Sequence, residues 1–404
     1  MNSVISYTLE KCIKCLKCIK VCPIGAISVR EERVRIDKEK CINCGNCVDA
    51  CAHQGLQAKG STLVDLENYD YCVALIPTSV FGDCSNQVEV ETLVAAIEKL
   101  GFDLVVDLSE YDGALYQEQL EYIKVNKKDS YLLSSFCPVI NQWVEQKYPM
   151  LLGNLIPLQS SSELAAKEIR KQLKDTYENI GIFLLCDCIA KLPFAKFPYG
   201  TSEYEVDHAV ALADIFPQIS RRRNKNQREL KLCSEGLRFI NSNQFLREQE
   251  EHQALIADGQ RKVQLALEML EFGQIRKGEF AYLSNCINGC IGGNLLWGNP
   301  FDKAINLENL IDSATVKPKI VSKQDLYTES PVLKMKDTRS LQERMMEYEK
   351  LNEQLELLPG FDCGACGYPS CRIMAEEIVA GNATMQECKL LKTRRVSYDS
   401  KRDD

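Results

Sequence analysis

Short apolar runs separated by amphipathic stretches dominate the middle of the chain. YCVALIP (71–77), DLVVDL (103–108), SYLLSS (130–135) and GIFLLC (181–186) are apolar at successive positions, the pattern of strands buried on both faces. Between them, EVETLVAAIEKLG (89–101) and SSELAAKEIRKQL (161–173) repeat apolar residues at helical spacing. A further strand is expected at EFAYL (279–283), and the charged segment 241–275 reads as helical surface cover. Alternating strands and helices predict an α/β body over about residues 60–330, with parallel or mixed sheets covered by helices. Nearer the N-terminus, AISVREERVRID (26–37) alternates like the two strands of a hairpin. Toward the other end, residues 340–360 place Leu341, Met345, Tyr348, Leu351 and Leu355 on one helical stripe. Ser340 and Glu343 are spaced for a capping box, and Pro359-Gly360 stops the helix. The polar closing tail is expected to be disordered.

Composition adds little until the cysteines are counted. An apolar fraction of 45% and a charged fraction of 26% are ordinary for a globular chain. The formal charge of −8 argues against a general nucleic-acid role. No apolar stretch approaches a bilayer span and the N-terminus lacks the form of a signal peptide, so no membrane role and a cytoplasmic location are expected. Twenty cysteines in that compartment do not suit a disulfide framework. The only histidines are His53, His208 and His252. Ligands this rich in thiolate and poor in imidazole point to iron–sulfur clusters rather than zinc or copper.

The cysteines fall into groups. Cys12, Cys15, Cys18 and Cys22 have the spacing C-x2-C-x2-C-x3-C followed by Pro23, and Cys41, Cys44, Cys47 and Cys51 repeat it with Ala52 in the proline position. This is a two-cluster ferredoxin signature, in which the fourth cysteine of each run reaches the other cubane. Cys12, Cys15, Cys18 and Cys51 are therefore expected to hold one 4Fe-4S cluster, and Cys41, Cys44, Cys47 and Cys22 the other. A pair of zinc sites is the alternative, disfavoured by the interleaved spacing. Lys11, Lys14, Lys17 and Lys20 thread the first run; they read as a solvated face, or as a docking patch for an acidic electron carrier. In FDCGACGYPSC (361–371), Cys363, Cys366 and Cys371 combine with Cys388 into a further set, with glycines for tight turns. Iron–sulfur and zinc both suit it.

Four cysteines lie at the C-terminal ends of expected strands, where α/β sheets collect ligands. Cys137 follows SYLLSSF, Cys188 follows GIFLLCD, and Cys286 and Cys290 lie in YLSNCINGCIGGN. Each alone reads as a core cysteine; together, with Pro138 and Gly292-Gly293 beside them, they suggest a cubane. Cys72, Cys84 and Cys233 fit no pattern, and Trp143 and Trp297 read as core anchors.

The order SSFCP (134–138), CIAK (188–191) and CINGCIGGN (286–294), behind a two-cluster ferredoxin signature, resembles the FeFe hydrogenases over nearly the whole chain. That family's three loops approximate TSCCP, MPCxxK and ExMxCxxGCxxGGG. The closing LPGFDCGACGYPSC (358–371) resembles a subgroup assigned sensory or regulatory roles, which carries a cysteine-rich module after the hydrogenase domain. The resemblance implies a two-cluster ferredoxin domain (1–58, α+β), a two-lobed α/β hydrogenase-like domain (65–330), a small helical 4Fe-4S module (337–394) and a tail (395–404). It implies that Cys137, Cys188, Cys286 and Cys290 hold the cubane of an H-cluster, so that four 4Fe-4S clusters are expected. Cys290 would bridge to a diiron CO/CN subsite, and the Lys191 ammonium would donate to a cyanide. Dihydrogen and protons would be the substrates, a ferredoxin-type or other redox protein the partner, and a signalling protein a further one.

The departures from the family are specific. Phe136 stands where the family has the cysteine that passes protons to and from the diiron unit. Tyr282 replaces a glutamate, Ser284 a methionine, Asn294 a glycine, and Cys186 the methionine of the second loop. Extended backbone would put Cys186 and Cys188 on one side, making the Cys186 thiol a candidate replacement relay beside the alternative of an inert core cysteine. Two readings follow. One is an oxidoreductase slow toward hydrogen, suited to sensing. The other is a non-catalytic four-cubane electron-transfer protein without the diiron subsite. A fast hydrogenase does not fit the loss of the relay.

Overall fold

The computed structural model describes residues 3–30, 33–126, 131–195, 204–223, 226–247, 254–275, 278–328 and 341–392. Its contacts divide the chain into two compact units, one of residues 42–44 and 59–333, the other of 2–41, 45–58 and 334–404.

The second unit contains β1 (Ile5–Tyr7), β2 (Ile27–Arg30), β3 (Arg33–Ile36) and β4 (Leu56–Ala58). β1 and β4 pair antiparallel with Ser6 opposite Gln57, so the two ends of the cysteine repeat are tied together. β2 and β3 form the hairpin that the alternation predicts, with Val29 opposite Val34. The C-terminal module contributes helices Leu341–Leu357 and Cys371–Val379. Leu358, Tyr368, Met374 and Ala375 form its core, against which Leu351 and Leu355 pack. Tyr348 does not share that role, being 56% exposed. Ser370 caps the second helix by accepting from the Ile373 amide at 3.2 Å. The Ser340 cap, the Leu341 and Met345 side chains and the tail lie outside the described residues.

In the first unit the strands are β5 (Tyr71–Ile76), β6 (Leu104–Asp107), β7 (Leu132–Leu133), β8 (Ile180–Cys186), β9 (His208–Ala211), β10 (Ala254–Asp258) and β11 (Phe280–Ser284). They form two parallel sheets, β6-β5-β8-β9 and β10-β11-β7. β8 is buried at every position, as a central parallel strand with an unbroken apolar run should be. Helices Gln87–Glu98 and Ser161–Leu173 begin at side-chain caps, Asn86 accepting from Glu89 N at 3.1 Å and Ser160 from Glu163 N at 3.3 Å.

Two element expectations need correction. The segment 241–275 is not wholly helical, because β10 lies between helices Ser242–Arg247 and Gln260–Glu271. Its run ALIAD is too short to stand out among charges, and it becomes a strand by joining the edge of β11. SYLLSS supplies only the two residues of β7, since the serines turn away to serve the next loop. Ser134 Oγ accepts from Leu283 N at 2.9 Å, and Ser135 O accepts from Asn141 Nδ2 at 2.7 Å.

Candidate iron–sulfur centres

Both sheets of the first unit send strand ends toward one place. The chain leaves β7 for Cys137, β8 for Cys188, and β11 for Cys286 and Cys290. The four residues, far apart in sequence, line one cavity of about 400 Å³ together with Pro138 and Gly293. Cys137 is the N-cap of helix Pro138–Lys147, whose first amides face it. Those N–H groups favour a negative sulfur. Two glycines make the convergence possible. Gly289 has φ +81°, and a Cβ there would lie 2.2 Å from the Ile240 carbonyl oxygen. A Cβ on Gly293 would lie 2.4 Å from the carbonyl of Asp187, and Leu295 N donates to that same oxygen at 3.0 Å. The third loop is thereby fastened to the second. Burial pushes the bare Cys188 thiol up to about 12, and a bound soft cation would have to displace that proton.

A second cavity, of about 560 Å³, adjoins the first. Cys290, Lys191 and Phe136 line both. Lys191 Nζ lies 3.0 and 3.1 Å from the two oxygens of Asp187, which also accepts from Ser79 Oγ at 2.6 Å. Burial opposes the ammonium, but Asp187, Cys290 and Cys188 outweigh it, and the lysine pKa is raised well above its usual value. Lys191 is therefore a cation facing the cavity. Thr78 and Asp112 form the opposite wall, joined by a 2.6 Å hydrogen bond from Thr78 Oγ1. Sequence reasoning missed Asp187; its signal was a carboxylate four residues before the lysine, the spacing of a helical ion pair.

The other cysteine groups lie elsewhere. Cys12, Cys15, Cys18 and Cys51 line one cavity of about 510 Å³ with Tyr7 and Val29. The fourth cysteine of each run accepts an amide from four residues on, Ala26 N to Cys22 Sγ and Gly55 N to Cys51 Sγ, both at 3.2 Å. The left-handed positions Lys14, Leu16 and Gly25 recur at Asn43, Gly45 and Gln54, equivalent places in the second run. Such backbone forms concave nests of N–H groups suited to anionic sulfur. Cys363, Cys366, Cys371 and Cys388 line a cavity of about 310 Å³ in the C-terminal module. Among the described residues no three His, Cys, Asp or Glu side chains converge on a single ion.

Residues 72–223 match the family model for the iron-only hydrogenase large subunit, C-terminal domain; residues 4–52 match the 4Fe-4S dicluster domain and 358–390 an Fe-S cluster family. The chain is thus FeFe-hydrogenase-like over residues 72–223 and like a two-cluster 4Fe-4S protein over residues 4–52. The hydrogenase match ends before the third loop. Among curated proteins, an uncharacterised protein of Methanocaldococcus jannaschii is 40% identical over 45 residues, 11% of this chain. A component of the ion-translocating oxidoreductase complex of Rhodobacter capsulatus is 45% identical over 38 residues, 9% of this chain. The chain spans about 20% of the length of each. Among solved structures, an FeFe-hydrogenase studied for oxygen inactivation aligns with TM-score 0.46 at 15% identity, covering 63% of this chain and 89% of that one. A variant of the FeFe-hydrogenase HydA1 from Chlamydomonas reinhardtii gives 0.45 and 14%, covering 64% and 88%.

Within the hydrogenase-like unit, two departures from the family loops turn out to be packing partners. The rings of Phe136 and Tyr282 are 4.9 Å apart, and Phe239 lies 5.5 Å from Phe136. The Tyr282 hydroxyl is committed to the Phe239 carbonyl at 3.2 Å. Together the three rings form an aromatic wall beside the loop cysteines. Ser284 Oγ donates to the Cys286 carbonyl at 2.6 Å, bracing the third loop from within. Asn294 forms a cross-link, accepting from Ile189 N at 3.0 Å and donating to the Cys44 carbonyl at 3.1 Å. Cys186 is fully buried, its thiol 3.7 Å from the Leu184 carbonyl, and it lines neither cavity. β8 ends at Cys186, so strand alternation does not reach Cys188. Trp143 is a buried anchor, while Trp297 is half-buried against Phe216 at 4.4 Å. Among the described residues no helix is long and apolar enough to cross a membrane.

Proposed function

We propose that this chain is an FeFe-hydrogenase-like electron-transfer protein whose 4Fe-4S centres serve an H-cluster-type site that works slowly on dihydrogen, at a pace suited to sensing. The observation that carries this is the junction of the two cavities, with the four loop cysteines around one and Cys290 and Lys191 shared with the next. The donor set fits the group. Cys137, Cys188, Cys286 and Cys290 would hold the cubane, Cys290 would reach the diiron unit, and the second cavity would house that unit. When bound, the diiron unit supplies the chemistry that interconverts dihydrogen with two protons and two electrons.

The chain's own residues set the terms around it. Asp187 holds the Lys191 ammonium in place, and that ammonium can donate a charge-assisted hydrogen bond to an anionic ligand in the cavity. Phe136 excludes water from its side and offers no exchangeable proton, so proton delivery there is the slow step. The exposed lysines 11, 14, 17 and 20 would receive an acidic ferredoxin-type carrier, with a signalling protein as the further partner.

Phe136→Cys restores a proton-exchanging group, and hydrogen turnover of the fully loaded protein is expected to rise by about 100-fold. Unchanged turnover in a variant that holds the diiron unit would overturn the account of Phe136. The second reading, a four-cubane protein without the diiron unit, is favoured by one observation, the phenyl ring lining both cavities. It requires that neither parent nor variant take up a diiron precursor.

A further inference from the structure

The C-terminal cysteine module does more than follow the chain. Within the second unit it is seated on the ferredoxin-like hairpin. The Val29 amide in β2 donates to the Gly367 carbonyl at 3.0 Å. Gly367 has φ +92°, and a Cβ there would lie 2.2 Å from the Val29 carbonyl oxygen, so only glycine permits the approach. Gly364 faces Ile19 and Lys20, in the stretch between Cys18 and Cys22, and Ile373 fills the space over Gly25. Lys40, next to Cys41, pairs with Glu377 at 2.6 Å. These contacts fall on both cysteine runs of the hairpin domain. Val29 is the pivot, since its residue lines the cavity of Cys12, Cys15, Cys18 and Cys51 while its amide holds the loop that carries Cys366. Cys363 and Phe361 are exposed, Phe361 by 68%.

We propose that the C-terminal centre is an electron port wired to the ferredoxin-like centres through this packed contact, rather than a tethered or purely bracing module. Cys363, Cys366, Cys371 and Cys388 would hold a 4Fe-4S cluster that supplies one-electron redox chemistry; an iron–sulfur carrier protein, oxidised in the exchange, would be the electron source at the exposed Cys363, and the Val29–Gly367 contact would set the path to the ferredoxin-like centres. No bond is made or broken and no proton moves. Electron tunnelling falls off steeply with the gap, so a direct backbone hydrogen bond between the module and the hairpin favours transfer there.

The test uses the full chain loaded with iron and sulfide, with no diiron precursor, so it is independent of the hydrogen chemistry above. Dithionite stands in for the carrier, and low-temperature electron paramagnetic resonance reads the coupling between reduced clusters. The parent should show lines split or broadened by a neighbouring spin. Cys371→Ser should lose about four irons per chain and that part of the splitting. Gly367→Val should keep its iron and lose the splitting. Should Gly367→Val shed the cluster, Lys40→Glu should weaken the splitting and Lys40→Glu with Glu377→Lys should restore it. A parent spectrum equal to that of Cys371→Ser plus one isolated cubane signal would overturn the proposal. So would a module that carries zinc and no spin.

Discussion

Phe136 and Tyr282 are best understood as one packed pair. Each reads in the sequence as a separate departure, because nothing in a linear pattern says that residues so far apart share a wall. Their rings meet at 4.9 Å, and Phe245 packs on Tyr282 at 5.1 Å, so Phe136→Cys removes one of the rings packed against Tyr282 and lowers stability through lost packing. The cysteines were legible because metal chemistry constrains spacing. Asp187 was not, since its meaning depends on Lys191 folding back over it. Its carboxylate, 2% exposed, carries the half-buried Lys191 ammonium, 21% exposed, and a serine hydroxyl. Asp187→Asn should therefore cost about 2 kcal/mol of stability, the penalty of leaving a half-buried cation unpaired. Chemical denaturation at neutral pH checks this; a loss under ~1 kcal/mol would mean the pair behaves as a surface contact.

At the scale of elements, buried parallel strands announced themselves and edge strands did not. β5 and β8 are apolar throughout, whereas β10 takes its conformation from β11. Helix caps were equally local and carry a measurable consequence. Glu163, in the first turn of helix Ser161–Leu173, is buried, with Glu205 N donating to it at 3.0 Å. Burial raises its pKa from 4.5 to about 7 despite that bond. Between those values the folded protein keeps a proton that the unfolded chain has released, so stability falls as pH rises through this window. Glu163→Gln keeps an oxygen for the Glu205 amide and removes the titration. The variant should match the parent near pH 4.5 and exceed it by on the order of 2 kcal/mol above pH 7. Denaturation midpoints across that range test it, and an advantage that shrinks with rising pH would contradict it. What no element-level pattern disclosed was the seat of the C-terminal helix pair. That contact rests on Gly367 meeting Val29 backbone to backbone, and glycines within a cysteine motif are equally explained by the motif itself.

For the whole molecule, cysteine spacing marked the candidate centres, and folding supplied the convergence of two sheets on one of them. The central claim is that this convergence builds an H-cluster-type site and not only a fourth cubane. Infrared spectroscopy tests it most directly, on anaerobically purified protein loaded with iron and sulfide and then treated with a diiron precursor. The account predicts sharp CO and CN bands, above a background of roughly sixteen irons per chain from the four cubanes. The CN bands should shift in Lys191→Met, which removes the ammonium from the cavity wall. Full iron loading with no CO or CN bands would contradict the claim and leave a four-cubane electron-transfer protein on a hydrogenase-like scaffold.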